Sequence, residues 1–205
     1  MLKVGLTGGY ATGKSFVARE LESLGCFVLY ADKLGHQVLY PDGAAFQPTL
    51  ALFGKTILAA DGAIDRKKLG AIVFSSPPLL QQLNSIVHPA VFQLETQAIN
   101  GFESQNPHGI AVVEAAILIE TGRYRHYDKL IVTTCEPATQ IARGIQRDQL
   151  SEADVVLRLS KQLPAADRIR FADYVISTER PPAETIADVH RIHAELRQLA
   201  EASPS

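Results

Sequence analysis

Short apolar runs alternate along this chain with longer stretches whose apolar residues recur every three or four positions. The runs are Leu2-Lys3-Val4-Gly5-Leu6, Phe27-Val28-Leu29, Ile110-Ala111-Val112-Val113, Leu130-Ile131-Val132 and Tyr174-Val175-Ile176. Each has strand length and is largely apolar on both faces. That predicts an α/β fold with a parallel sheet of about five strands, covered by helices on both sides. After the first run, Val17, Leu21 and Leu24 recur at i, i+4 and i+7 ahead of Gly25, which predicts a helix with a glycine stop. From about 44 to 102 no run reads as a strand. There Asp65 caps a predicted helix through Phe74, with Leu69 and Ile72-Val73 facing inward. Pro78 opens a second helix carrying Leu79, Leu80, Leu83, Ile86 and Val87, and Pro89 starts another turn after His88. Further on, Ser151 caps a helix through Gln162, ended by Pro164. The last helix runs from about Pro182 to Ala200, leaving Glu201 to Ser205 as a frayed tail.

Composition narrows the class. The 205 residues suit one large domain or a domain with an insertion. A formal net charge of −2 offers no general attraction to nucleic acid or to an anionic membrane. Cys26 and Cys135 are far apart and form no C-x-x-C, so they read as small apolar residues of a reduced protein rather than as a disulfide or zinc site. The first residues already read as a strand and not as a signal peptide, and no apolar stretch approaches a membrane span. A cytoplasmic protein is expected.

Residues 8 to 15 carry the chemistry. Gly8-Gly9-Tyr10-Ala11-Thr12-Gly13-Lys14-Ser15 fits G-x-x-x-x-G-K-[ST], between a predicted strand and a predicted helix. A glycine turn into a helix N-terminus aims backbone N–H groups and the positive end of the helix dipole at one spot, which suits phosphate. Lys14 would reach the β- and γ-phosphates and Ser15 would ligate Mg²⁺. The chain is expected to bind a nucleoside triphosphate.

Phosphoryl transfer also needs cations for the developing charge and a group to orient the attacking hydroxyl. Asp32 lies just beyond the second apolar run, where the carboxyl ends of strands border the ligand crevice of an open sheet. A helix cap is the plainer role for it, but cap and crevice coincide there. Glu114 ends the third run and reads either as part of a metal or substrate shell or as a strand-end charge; Glu120 is a weaker case. Arg143 and Arg147 stand at i and i+4 on one helix face, as a lid over phosphates would need, although Arg147 has Asp148 beside it for a local pair. Arg158 and Arg168 follow, and His88 is equally open to a structural and a substrate role.

The ordered series of short motifs resembles the dephospho-CoA kinase family over about Leu2 to Gln198. It comprises Val4 to Gly9 with Gly13-Lys14-Ser15, Ala31-Asp32, Phe53-Gly54, Asp61-Gly62, and Asp65 to Leu69. Phe74, His88-Pro89, Glu114 with Ile117-Leu118 and Glu120, Arg147-Asp148 with Leu150-Ser151, Arg158, Gln162 and Asp173 to Ile176 continue it. The resemblance implies a P-loop NTPase three-layer fold with a five-stranded parallel sheet. Its core would be about 1–43, 103–140 and 171–200, with a helical substrate-binding insertion at about 44–102 and a helical lid at about 141–170. It implies transfer of the ATP γ-phosphoryl to the ribose 3′-hydroxyl of dephospho-CoA with Mg²⁺. A monomer or weak homo-oligomer is expected. Gly8, Gly9, Ala11, Thr12, Gly13, Lys14, Ser15 and Phe16 would hold ATP; Asp32 would orient or deprotonate the hydroxyl. Arg143 and Arg147 would act from the lid, and Thr7, His88 and Glu114 would line the acceptor site. The weakest assignment puts Arg66 to Lys68 on the acceptor's phosphates. The chain departs from the family pattern at Tyr30, where Asp is common, at Ala11 and Thr12, where Gly and Ser are common, and at Ser177-Thr178, where an Asn is usual. A nucleoside or nucleotide kinase shares the loop but lacks the series. A GTP switch would use Asp32-Lys33-Leu34-Gly35 as D-x-x-G, yet the chain has no N-K-x-D.

Overall fold

The computed structural model describes residues 1–202 and divides into two compact units, 1–29 with the described residues from 102 on, and 30–101. The sheet has five strands: β1 (Leu2–Gly8), β2 (Phe27–Tyr30), β3 (Ile110–Glu114), β4 (Lys129–Thr134) and β5 (Tyr174–Ser177). Their order is β2-β3-β1-β4-β5. β1 pairs in parallel with β3 and β4, and β4 with β5. Val4, Leu6, Ile131, Val132 and Ile176 have no exposed surface, which is why these strands carry apolar residues on both faces. Helix α1 (Lys14–Ser23) follows β1 and buries Val17, Ala18 and Leu21. Its end is a Schellman turn: Gly25 at φ +90° donates to the Glu22 carbonyl and Cys26 to that of Leu21.

Register fixes the site. Leu6 stands opposite Glu114 and Ile131, and Gly8 opposite Thr133. Successive strands lie on one side of β1 and then on the other, so the carboxyl end of β1 is the point where the connections diverge and where a ligand crevice forms. Helices α6 (Pro137–Asp148), α7 (Glu152–Ser160) and α8 (Ala165–Ile169) connect β4 to β5. Ser151 caps α7 by accepting from the Asp154 amide at 3.2 Å. The terminal helix α9 (Pro182–Ala202) buries Val189, Ile192, Leu196 and Ala200 and packs on α1. Glu201 and Ala202 thus belong to the helix expected to end at Ala200. Ser203 to Ser205 lie outside the described residues.

The second unit is helical: α2 (Ala31–Gln37), α3 (Phe46–Phe53), α4 (Arg66–Phe74) and most of α5 (Pro77–Gln105). Asp65 caps α4 as its position predicts, accepting from the amides of Lys67 and Lys68. Pro89 does not begin a new helix; α5 runs straight through it. An internal proline costs roughly 3 kcal/mol through a lost bond and a clash. Packing on both sides of it offsets that cost: Ala90 and Val91 are buried with Val38 and Ala45, while Leu79, Leu80 and Leu83 lie on the cluster of Phe46, Ile57, Ile64, Leu69 and Val73. No helix among the described residues is long and apolar enough to cross a membrane.

Candidate active site

The phosphate loop closes on itself and leaves its amides unspent. Thr12 Oγ1 donates to the Gly9 carbonyl at 2.8 Å and meets Thr133 Oγ1 at 2.8 Å, and the Phe16 and Val17 amides turn back to the Gly13 carbonyl. Gly13 lies at φ +81°, and a Cβ there would sit 2.9 Å from Thr178 Cγ2. At Gly8 a Cβ would meet Thr133 Oγ1 at 2.3 Å, so both glycines are required by close approach. Ala11, where glycine is the commoner choice, adopts φ +57°, a left-handed conformation that costs an alanine about 1 kcal/mol. Within this curve the amides of Ala11, Gly13 and Ser15 donate to no acceptor among the described residues. They point from the mouth of α1, which together with the helix dipole makes an anion cradle. Lys14 Nζ donates to the Gly8 and Gly9 carbonyls, each at 3.0 Å, which keeps the ammonium against the loop. Ser15 is exposed in the first turn of α1 with its hydroxyl unbonded among the described residues; Phe16 is half-buried beside it.

The cradle is braced from behind. Thr178, just past β5, is 5 % exposed; its Oγ1 donates to the Thr12 carbonyl at 3.0 Å and accepts from Arg143 Nη1 at 2.8 Å. Arg143 Nη2 also holds the Thr178 carbonyl at 2.7 Å. Arg143 is thus engaged beneath the loop rather than presented from a lid. Arg147 binds Asp148 through Nε at 2.8 Å and Nη2 at 3.0 Å, the local pair its neighbour allows. Its guanidinium also lies 4.9 Å from the centre of the Tyr10 ring. Arg158 reaches the same carboxylate at 3.6 Å. These arginines and the Tyr10 hydroxyl hold the Asp148 carboxyl down at about 2, so it is ionised at any working pH.

Sequence reasoning gave little weight to Arg168, whose side chain is 4 % exposed and pairs with Glu120 at 2.9 Å, while its Nε has no hydrogen-bond partner. It lines a small cavity beside the loop with Gly9, Thr12, Thr133 and Gln140. Nothing in its local sequence separates it from a surface arginine. Gln162 and Thr178 were equally illegible as loop partners, since both reach the loop across more than a hundred residues. Thr7 is fully buried, and its Oγ1 has no hydrogen-bond partner. Glu114, at the end of β3, is also buried.

Asp32 and His88 belong to the helical unit. Asp32 is exposed in the first turn of α2, whose N-cap is Tyr30, so it is not the cap itself, and it makes no hydrogen bond or ion pair among the described residues. A carboxylate there gains from the helix dipole yet keeps its oxygens available. Lys33 Nζ stands 4.3 Å over the Tyr30 ring, so the aromatic residue engages a cation where the family pattern has an acid. Burial, and next the charge of Arg66, push the His36 imidazole below its ordinary pKa. His88 is half-buried in α5. Lys68 Nζ donates to the Leu58 carbonyl at 2.7 Å.

Known proteins agree with this architecture. The sequence model of the dephospho-CoA kinase family matches residues 2–182. A dephospho-CoA kinase of Syntrophus aciditrophicus is 37 % identical over 196 residues, covering 96 % of this chain and 83 % of that one. One from Aquifex aeolicus is 38 % identical over 196 residues, 96 % and 98 % of the two chains. The solved structure of the dephospho-CoA kinase from Campylobacter jejuni superposes with a TM-score of 0.73 at 25 % identity, over 96 % of this chain and 97 % of that one. A phosphate loop at the central strand and a match along most of its length thus place the chain in the dephospho-CoA kinase family.

Proposed function

We propose that the protein transfers the γ-phosphoryl group of ATP to the ribose 3′-hydroxyl of dephospho-CoA, yielding CoA and ADP, the last step of coenzyme A synthesis. The observation that carries this reading is the cradle of unspent amides at Ala11, Gly13 and Ser15 with Lys14 beside it, in a chain of this family. The amides hold the phosphate chain, and Lys14 exchanges its two loop carbonyls for β- and γ-phosphate oxygens. Gly8, Gly9, Thr12 and Phe16 complete the wall of the ATP site. Mg²⁺ suits the residues present. It demands oxygen donors and is usually held by one or two protein groups plus phosphate, and the exposed, unbonded Ser15 hydroxyl is such a donor. Among the described residues no cluster of three or more His, Cys, Asp or Glu offers a cage of its own. When bound, the metal would offset phosphate charge.

Asp32 acts as the group that orients the 3′-hydroxyl and accepts its proton; in a loose transition state orientation is the larger part of that work. His88, Glu114 and Thr7 are assigned to the acceptor side, Glu114 through its carboxylate and Thr7 as part of the floor. Arg147, with three N–H groups beyond the two given to Asp148, offers charge to the transferring phosphoryl group. Arg143 contributes by holding Thr178 and thereby the loop. The helical unit, 30–101, would take the acceptor, and the helices between β4 and β5 would serve as the lid. We place the enzyme in the cytoplasm, working as a monomer or weak homo-oligomer on small molecules, with neither nucleic acid nor membrane as partner.

ADP release with Mg-ATP, measured against dephospho-CoA, AMP, CMP, dTMP, adenosine and no acceptor, tests the reading. Turnover confined to dephospho-CoA with a 3′-phosphorylated product is expected. Turnover on a nucleotide or nucleoside instead overturns the acceptor and keeps the phosphate loop.

A further inference from the structure

Tyr10 occupies one of the four variable positions of the phosphate loop, where any residue satisfies the motif. Its surroundings are unusually specific. The phenol oxygen donates to Asp148 Oδ2, and the backbone amide donates to Gln162 Oε1 at 2.8 Å. The guanidinium of Arg147 lies 4.9 Å and that of Arg158 5.6 Å from the ring centre. One loop residue therefore touches α6, α7 and the segment that follows α7.

Gly144 supplies an independent sign that the contact is built in. It is the buried residue of α6, in mid-helix, where glycine is an unfavourable choice relative to alanine. A Cβ at Gly144 would lie 2.7 Å from Tyr10 Cε1 and 3.1 Å from its hydroxyl, and 3.0 Å from Val155 Cγ1. The missing side chain is the seat of the tyrosine ring.

We propose that Tyr10 is a positioning residue through which the phosphate loop sets the lid arginines, its hydroxyl fixing Asp148 and its ring spacing Arg147 and Arg158. Asp148 grips Arg147 by two N–H bonds, one to each carboxylate oxygen, an arrangement that fixes the plane of the guanidinium. Whatever locates the carboxylate locates Arg147, and the phenol locates the carboxylate from the loop itself. The phosphates and the arginine that is to meet them are thereby referred to the same short segment of backbone. Near-attack geometry is sensitive to displacements of about 1 Å, and Tyr10 is the loop residue that meets Arg147 and its carboxylate partner directly. This inference rests on the kinase reading for its catalytic consequence, but not for the contact itself.

The test is Tyr10→Phe, which keeps the ring and removes the hydroxyl. We expect kcat with Mg-ATP and dephospho-CoA to fall roughly tenfold, with KM for dephospho-CoA unchanged, the signature of an arginine misplaced in the transition state. Asp148→Asn should fall similarly, and the double variant should be no worse than the worse single one, because both changes break one contact. Amide hydrogen exchange over 137–160 should quicken in Tyr10→Phe, with exchange in α1 unaltered. A kcat within twofold of wild type with unchanged lid exchange, or losses that multiply in the double variant, overturns the proposal. If the wild-type protein leaves dephospho-CoA untouched, the acceptor reading falls and exchange alone decides: quickened in Tyr10→Phe, the latch stands; unchanged, it does not.

Discussion

Replacing Thr178 by valine isolates the brace beneath the phosphate loop. Valine keeps the shape and the methyl group against Gly13, so packing is preserved and the loss is polar. The Thr12 carbonyl loses its donor at 3.0 Å, and Arg143 Nη1 loses its acceptor at 2.8 Å. A neutral bond contributes about 0.5–1.5 kcal/mol and one to a charged group about 1.5–3 kcal/mol. Arg143 keeps its second bond, to the Thr178 carbonyl at 2.7 Å, and is only half-buried, which places the total near the low end, about 2 kcal/mol. For a chain of this size that is a fall in Tm of about 4–8 °C in the transition of the sheet-bearing unit. Thermal melting and urea titration would read it, with Thr178→Ser as the control that keeps the hydroxyl and loses the methyl group. KM for ATP should rise in the valine variant and stay put in the serine variant, because Thr12 and Gly13 shape the cradle. A valine cost under about 0.5 kcal/mol, or a serine cost equal to it, would refute the brace.

Three further outcomes are expected. Lys14→Ala should lower kcat by a hundredfold or more, roughly the scale for one electrostatic stabiliser; unchanged turnover would remove the loop from the reaction. Asp32→Asn should cost on the order of a hundredfold to ten-thousandfold in kcat while ATP affinity holds; a change in ATP affinity alone would move Asp32 to the metal shell. Asp148 is held at about 2, below an ordinary carboxylate, so the folded state binds its proton less tightly than the unfolded chain. Its contribution is therefore full above about pH 4 and lost as pH falls toward 2. Solvent screens a side chain 26 % exposed, so the effect is about 1 kcal/mol. The stability gap between wild type and Asp148→Asn should narrow as pH falls from about 4 toward 2, and a gap that stays constant would deny the pairing.

The strands were legible because a strand covered on both faces needs an apolar run, and a run of that kind has few other uses. The glycine stop at Gly25 and the caps at Asp65 and Ser151 were legible because their causes lie within a few residues of each other. Pro89 misled for the same reason. Local chemistry says that a proline ends a helix, and only burial of Ala90 and Val91 on one side, with leucine packing on the other, carries α5 through it. The end of α9 slipped by two residues, which is the ordinary uncertainty of a terminus with no capping glycine.

The phosphate loop could be read directly, because its geometry is local: glycines for the turn, a helix mouth for the amides, Lys14 and Ser15 at fixed offsets. The loop's surroundings could not. Thr178, Gln162, Asp148 and Arg168 arrive from the far side of the chain, and their spacing along it carries no trace of Gly9, Tyr10 or Thr12. Arg143 and Arg147 look equivalent on one helix face, yet one ends on Thr178 and the other on Asp148, because the hydroxyl or carboxylate within reach of each guanidinium differs. Periodicity and motif spacing are properties of neighbouring residues, so the elements and the cradle follow from them. Which arginine ends on Thr178, and which on Asp148, is a matter of distances across the fold, and those exist only once the chain has packed.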